Sequence, residues 1–241
     1  MRALIGISIS REWNETEFLQ RLSTIIIPSG WHISYGWLRQ FTAAERHNVS
    51  MVAAKNYDRL LFLDTDQIYP VDYYLKMLEH DEPIVSALNT ARYYPYDLCI
   101  FNIKDSQKVI DEEGKEVSVP LFQALQQDEL MAIDRECFLC DMTGTGALMI
   151  DPKILEDIPK PYFKDVYGED GHRILCDDFY FGYKLYQANR KVLIDTRIIT
   201  GHIVKTIVKP YNALDLRRAW EKMNSGYGYW KDGLDPSIVV K

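Results

Sequence analysis

The feature that most constrains this chain is Leu60-Leu61-Phe62-Leu63, a fully apolar tetrapeptide that stops at Asp64-Thr65-Asp66. Consecutive apolar residues with no polar alternation suit a strand covered on both faces, as in the middle of a parallel sheet. The carboxylates at its end also mark where a ligand belongs, because open α/β sheets bind ligands in the crevice beyond the carboxyl ends of their strands. The spacing by itself carries little: with 21 aspartates in 241 residues, about two Asp-x-Asp triplets arise by chance. Position gives this one weight. Two carboxylates at i and i+2 of an extended segment can point the same way. They repel unless a cation joins them, and hard oxygen ligands suit Mg²⁺ or Mn²⁺, which bridge substrate phosphates. Solvated turn aspartates are the plain alternative.

The flanking pattern places this strand in an α/β domain. Ala3 to Ile9 reads as a buried strand, followed by a polar loop around Arg11 to Glu15 and a helix through Phe18 to Thr24. Ala43 to Lys55 has helical character, Pro70 opens a helix through about His80, and Pro83 to Leu88 returns as a strand. Such alternation predicts a doubly wound sheet. Between Arg92 and Asp141 the rhythm is lost; Lys108 to Val117 looks like a charged hairpin turning at Gly114, part of an insertion over the sheet's edge. Regularity resumes with Thr143 to Ile150, a short helix from Pro152, a helix from about Asp178 to Ala188 and a strand from Lys191 to Asp195. The reading is one domain over 1–209 with an insertion at about 92–141. A C-terminal amphipathic helix (Ala213 to Met223) and a mobile aromatic tail (Tyr227 to Trp230) follow within 210–241.

Composition narrows the partners. A net charge of −7 disfavours a surface that grips nucleic-acid phosphates through many Lys and Arg contacts. No apolar run is long enough to span a bilayer, and Gly6, Ser8, Ser10 and Arg11 interrupt the N-terminal segment too early for a signal peptide, so a cytosolic chain is expected. Cys99, Cys137, Cys140 and Cys176 suit a reducing compartment. Cys137 and Cys140 form a C-x-x-C with no second pair at zinc-finger spacing, and are expected to be buried thiols rather than a metal or redox site.

Leu61-Phe-Leu-Asp-Thr-Asp-Gln-Ile-Tyr-Pro70 resembles the D-x-D signature of GT-A nucleotide-sugar transferases, particularly small family-2-like enzymes encoded by phages and viruses. Other segments follow in the same order. Arg46-His47-Asn48 resembles the family's nucleotide-holding Arg-Asn pair, with His47 interposed. Thr143-Gly-Thr-Gly-Ala-Leu-Met-Ile150 resembles the small-residue segment before the acceptor-side helix, and Asp177-Asp178 stands where the family has a Glu-Asp pair. Gly201-His202 follows the late strand where a metal-binding His is expected.

The resemblance implies a GT-A fold, a Rossmann-like mixed sheet flanked by helices, with Mn²⁺ or Mg²⁺ held by Asp64, Asp66 and His202. It implies donor contacts from Ser8, Arg11, Arg46, Asn48, Asp64, Thr65 and Lys205, and a sugar or acceptor near Gly144, Thr145 and Gly146. Asp178 would be the general base of an inverting displacement, with Asp177 beside it. The implied reaction moves a sugar from a nucleotide donor, a UDP-sugar, to a hydroxyl on a glycan, a modified nucleic acid or a protein. Each residue has a plainer reading: Asp178 as a helix cap, Asp177 as a first-turn charge, His202 as a packing histidine, Lys205 and Lys209 as solvated lysines, and Gly144 and Gly146 as a tight strand connection. Two rival functions remain, a haloacid-dehalogenase-like Mg²⁺ phosphohydrolase, whose D-x-D normally ends the first strand, and a GT-A-fold module that binds without catalysis.

Overall fold

The apolar runs become strands and the periodic segments helices in the computed structural model, which describes residues 1–9, 15–39, 43–91, 97–133 and 135–203. In chain order the elements are β1 (Arg2–Ile9), α1 (Glu15–Leu22), β2 (His32–Arg39), α2 (Ala43–Asn56), β3 (Arg59–Asp64), β4 (Gln67–Ile68), α3 (Tyr73–Met77) and β5 (Ile84–Leu88). Then come β6 (Ile100–Ile110), β7 (Glu116–Ala124), α4 (Gln127–Met131), β8 (Cys137–Cys140), β9 (Met142–Thr143) and β10 (Ala147–Ile150). A 3₁₀ turn (Pro152–Asp157), β11 (Val166–Tyr167), β12 (Arg173–Leu175), α5 (Asp177–Gln187), β13 (Val192–Ile199) and β14 (Gly201–His202) complete the set.

The main sheet has seven strands in the order β2-β1-β3-β10-β5-β13-β8. β1 pairs in parallel with β2 and β3, while β10 runs antiparallel between β3 and β5. The sheet is therefore mixed. The apolar tetrapeptide behaves as its pattern demands: Leu60 and Phe62 enter the core on one side with Leu4, Ile150 and Phe181, and Leu61 and Leu63 enter the other with Ile5, Ile7 and Met77. Each such side chain taken from water contributes roughly 2 kcal/mol.

Differences from the sequence reading have local causes. The sequence reading has no strand at β2: Ile33, Tyr35 and Trp37 do alternate with Ser34 and Gly36, but in this edge strand Tyr35 and Trp37 stay exposed while Leu38 is buried, so the pattern does not mark a core face. α3 is shorter than the expected Pro70 to His80, with Tyr73, Tyr74 and Met77 buried. The insertion does contain a hairpin, β6–β7, turning at Gly114 with a positive φ of 74° that glycine accommodates. Its end is built into the core rather than lying over the edge, because β8 becomes the outermost strand of the main sheet by pairing with β13. The C-x-x-C is split by that strand: Cys140 packs into the first cluster and Cys137 against the second, and all four cysteines are free thiols.

α5 sits close on β9 because residue 182 is glycine; a Cβ there would overlap the Met142 side chain and reach its Cα at 3.4 Å. Gly182→Ala is expected to cost about 1–3 kcal/mol of overpacking strain, measured as a lower thermal midpoint. Among the described residues no helix is long and apolar enough to cross a membrane. The readings at Arg11, Lys205, Lys209, the amphipathic stretch and the aromatic tail fall outside the described residues.

Candidate active site

Parallel pairing of β1 and β3 sets Ser8 beside Asp64 at the carboxyl end of both strands, and the Thr65 N–H donates to the Ser8 carbonyl at 3.0 Å. α2, packed against the same strands, brings in Arg46, which is 2 % exposed. Its Nη1 donates to Asp177 Oδ2 at 2.8 Å and to Asp178 Oδ1, while Nη2 reaches Asp64 Oδ1 at 3.3 Å and Ser8 Oγ at 3.4 Å. One guanidinium thus ties the D-x-D strand to the first turn of α5. The planar fork of arginine suits this; a lysine ammonium would engage the acids as a point charge.

Burial works against the charge on Arg46, but Asp178, Asp177 and Asp64 outweigh it and hold the guanidinium above its usual range. Asp64 is pushed up to about 7 by burial and by the charges of Asp66 and Asp178, despite Arg46. Asp177 is raised by burial and by its neighbour's charge. Burial also acts on Asp178, yet Arg46, a hydrogen bond from Asp177 and the Thr145 N–H bring it below the ordinary carboxylate value. The pair therefore divides its roles. Asp177, 7 % exposed, is the acid whose protonated form its surroundings favour, and Asp178, 26 % exposed, is the more accessible one, whose ionised form they favour.

Asp66 is buried just beyond the strand. β4 and β14 pair antiparallel, setting His202 opposite Gln67, and the Ile203 N–H donates to the Asp66 carbonyl at 2.8 Å. The Gln67 amide donates to His202 Nε2 at 3.2 Å. The fold therefore brings His202 next to the D-x-D segment. Asp64, Asp66 and His202 do not converge into a closed ligand trio; among the described residues the group whose ligand atoms lie within 4.8 Å of one another is His80, Cys137 and Asp195. Buried, mutually repelling carboxylates with an imidazole one strand away are a donor set that fits Mn²⁺ or Mg²⁺.

The Gly144-Thr145-Gly146 segment lies against these acids. A Cβ on Gly146 would stand 2.5 Å from Asp64 Oδ2 and 2.6 Å from Gln67 Nε2, so glycine is required here for close approach. At Gly144 a Cβ would make only ordinary contacts, 3.8 Å from Cys99 Cβ and 4.0 Å from Asp178 Oδ2. For a cation held by Asp64, Gly146→Ala is expected to weaken Mn²⁺ binding about 10- to 100-fold, the usual effect of disturbing a ligand's support, while Gly144→Ala stays within a few-fold. Isothermal titration of both variants checks the contrast.

Arg46 and Asn48, read together from the sequence, part company: Arg46 is turned into the acids and Asn48 is exposed. His47 accepts from the Tyr162 N–H at 3.2 Å. Three residues escaped sequence reasoning. The Tyr69 hydroxyl accepts from the Asp64 N–H at 2.8 Å and donates to the Gly146 carbonyl at 2.6 Å, clamping the two segments together. Gln67 holds His202. Asn89 directly follows β5, is 2 % exposed and has neither amide atom partnered among the described residues; its carbonyl accepts from Cys99 N–H, behind Gly144. The Thr145 hydroxyl is likewise buried without a partner. A buried polar group left unsatisfied costs about 1–3 kcal/mol, so both are suited to a polar ligand. The position of Asn89 at a strand's carboxyl end was the available signal.

No family model matches the sequence, and no curated protein does. Solved structures do share its fold. A197 from STIV superposes with a TM-score of 0.53 at 16 % identity, covering 85 % of this chain and 87 % of that one. GalNAc-T7, crystallised with UDP, GalNAc and Mn²⁺, superposes with a TM-score of 0.50 at 14 % identity, over 84 % of this chain and 44 % of that one. The chain thus spans less than half of GalNAc-T7. With its mixed seven-stranded sheet flanked by helices and a D-x-D ending the third strand rather than the first, the protein has the GT-A fold.

Proposed function

We propose that this chain is a metal-dependent glycosyltransferase that moves a sugar from a nucleotide-sugar, a UDP-sugar, to a hydroxyl acceptor with inversion. The observation that carries the reading is the Arg46-centred cluster, in which the D-x-D and the more accessible aspartate of the α5 pair meet at the carboxyl ends of β1 and β3. The likeness to a fold crystallised with UDP, GalNAc and Mn²⁺ supports it.

Asp64 and Asp66 would hold Mn²⁺ or Mg²⁺, with His202 beside them. When bound, the cation neutralises charge developing on a leaving diphosphate. Ser8 and Thr65 form the floor of the donor side, where the β1–β3 pairing fixes them. Arg46 positions Asp64 and Asp178 with respect to each other. Asp178 accepts the proton of the acceptor hydroxyl as that oxygen attacks the sugar, and protonated Asp177 orients it. The buried Thr145 hydroxyl and the Asn89 amide are offered to sugar or acceptor hydroxyls. Arg11 and Lys205 are proposed as further donor contacts, and a small family-2-like enzyme of phage or viral type as its kind.

Calorimetric titration with UDP, with and without Mn²⁺, tests the binding half: metal-dependent binding is expected, and its absence would sink the reading. Hydrolysis of a panel of nucleotide-sugars tests the chemistry and names the sugar. UDP binding without hydrolysis or transfer of any donor would favour a non-catalytic binding module.

A further inference from the structure

The fold gathers a second set of metal-ligating side chains at the far edge of the sheet, away from the D-x-D. Asp195 lies on β13 and faces Cys137 on β8 across their antiparallel pairing, and His80 comes from the segment after α3. Three strand spacings separate β13 from β3, roughly 14 Å. His80 Nε2 and Asp195 Oδ2 are 2.8 Å apart, and the imidazole nitrogen, the thiol sulfur and a carboxylate oxygen all lie within 4.8 Å of one another. Asp195 is fully buried, whereas His80 and Cys137 are half-buried.

We propose that His80, Cys137 and Asp195 form a zinc site, an open one in which solvent supplies the fourth ligand. The chemistry favours this ion: nitrogen, thiolate and carboxylate donors together suit Zn²⁺, whereas Mg²⁺ and Mn²⁺ prefer oxygen. The dimensions are close. A tetrahedral zinc with bonds of about 2.0 to 2.3 Å holds its ligand atoms roughly 3.3 to 3.6 Å apart. The His80–Asp195 contact opens by about half an ångström, and the thiol, within 4.8 Å of both, has to close by no more than about 1.5 Å.

The competitor is internal. Arg197 donates to Asp195 Oδ1 through its backbone N–H at 2.8 Å and Nε at 3.0 Å, and to Oδ2 through Nη2 at 2.7 Å. Zinc needs only Oδ2. Arg197 keeps both bonds to Oδ1, and its Nη2 keeps Glu79 at 2.9 Å. Glu79 and Glu136 flank the site, with Glu136 Oε2 3.7 Å from Arg197 Nη1, so the surroundings favour an added cation. The ion would pin β8, the last strand of the insertion, and β13 to the segment after α3. That is the role of a staple on an edge strand.

Cobalt is the probe, because a thiolate bound to Co²⁺ gives a near-ultraviolet charge-transfer band that an oxygen-only site cannot produce. Titration of the full chain is expected to show this band with tetrahedral visible bands, saturating at one equivalent and displaced by Zn²⁺. Cys137→Ser should abolish it, His80→Ala should weaken binding at least tenfold, and Asp64→Asn with Asp66→Asn should leave it intact. Zn²⁺ should raise the thermal midpoint of the wild type and not of Cys137→Ser, whose folding circular dichroism confirms. No charge-transfer band, or one that survives Cys137→Ser, would overturn the proposal. Either result leaves the transferase reading untouched, because the D-x-D contains no sulfur.

Discussion

Arg46→Ala is expected to lower the stability of the protein by about 3–5 kcal/mol, the cost of removing one partner from a buried ion pair. At 2–4 °C per kcal/mol for a domain of this size, the thermal midpoint falls by roughly 6–20 °C. The side chain is 2 % exposed and contacts Asp64, Asp177 and Asp178 together, so its loss leaves three carboxylates facing one another without their shared countercharge. The deficit should depend on pH. Without the guanidinium the folded acids bind protons more tightly than in the unfolded chain, so the loss is small where both states are protonated and grows as pH rises through neutrality. Mn²⁺ should recover part of it by replacing the missing charge. Arg46→Lys keeps the charge without the fork and should fall between. A midpoint for Arg46→Ala within two degrees of wild type at about pH 8 would show that the acids do not depend on it.

Asp178→Asn is expected to reduce turnover by about 10²- to 10⁴-fold, the usual contribution of a positioned general base. Metal-dependent UDP binding should remain within a few-fold, because Asp178 is assigned to the acceptor proton and the D-x-D is intact. Asp177→Asn should cost much less: burial and the charge of Asp178 favour the protonated form of that acid, and an amide preserves a hydrogen-bond donor toward Asp178. Initial transfer rates under saturating donor separate the two variants. Equal losses would mean that the pair acts as one unit, and a rate for Asp178→Asn above a tenth of wild type would move the base elsewhere.

Much of this arrangement was legible because its signals are local. An apolar tetrapeptide ending in acid announces a buried strand and its carboxyl end, and β3 stops at Asp64 as its pattern requires. Asp177 and Asp178 open a helix, where acids are favoured. Arg46 was legible as a residue of interest but not in its surroundings, since its partners lie 18, 131 and 132 positions away and only the packing of α2 on the sheet brings them within reach. The same distance hid the Tyr69 clamp and the meeting of Cys137 with His80 and Asp195. β2 was lost for another reason: the face of this edge strand that carries Tyr35 and Trp37 stays exposed, so its alternation does not point to a buried side.

The short β4–β14 pairing bears on how the protein can be divided. Since Ile203 donates to the Asp66 carbonyl and Gly201 and His202 pair with the residues after the D-x-D, the last described strand forms one wall beside the D-x-D segment. A fragment cut before residue 201 would retain every strand of the main sheet, yet Gln67 would lose its imidazole partner and β4 the strand that pairs with it among the described residues. The smallest piece of this chain that preserves the site ends no earlier than Ile203.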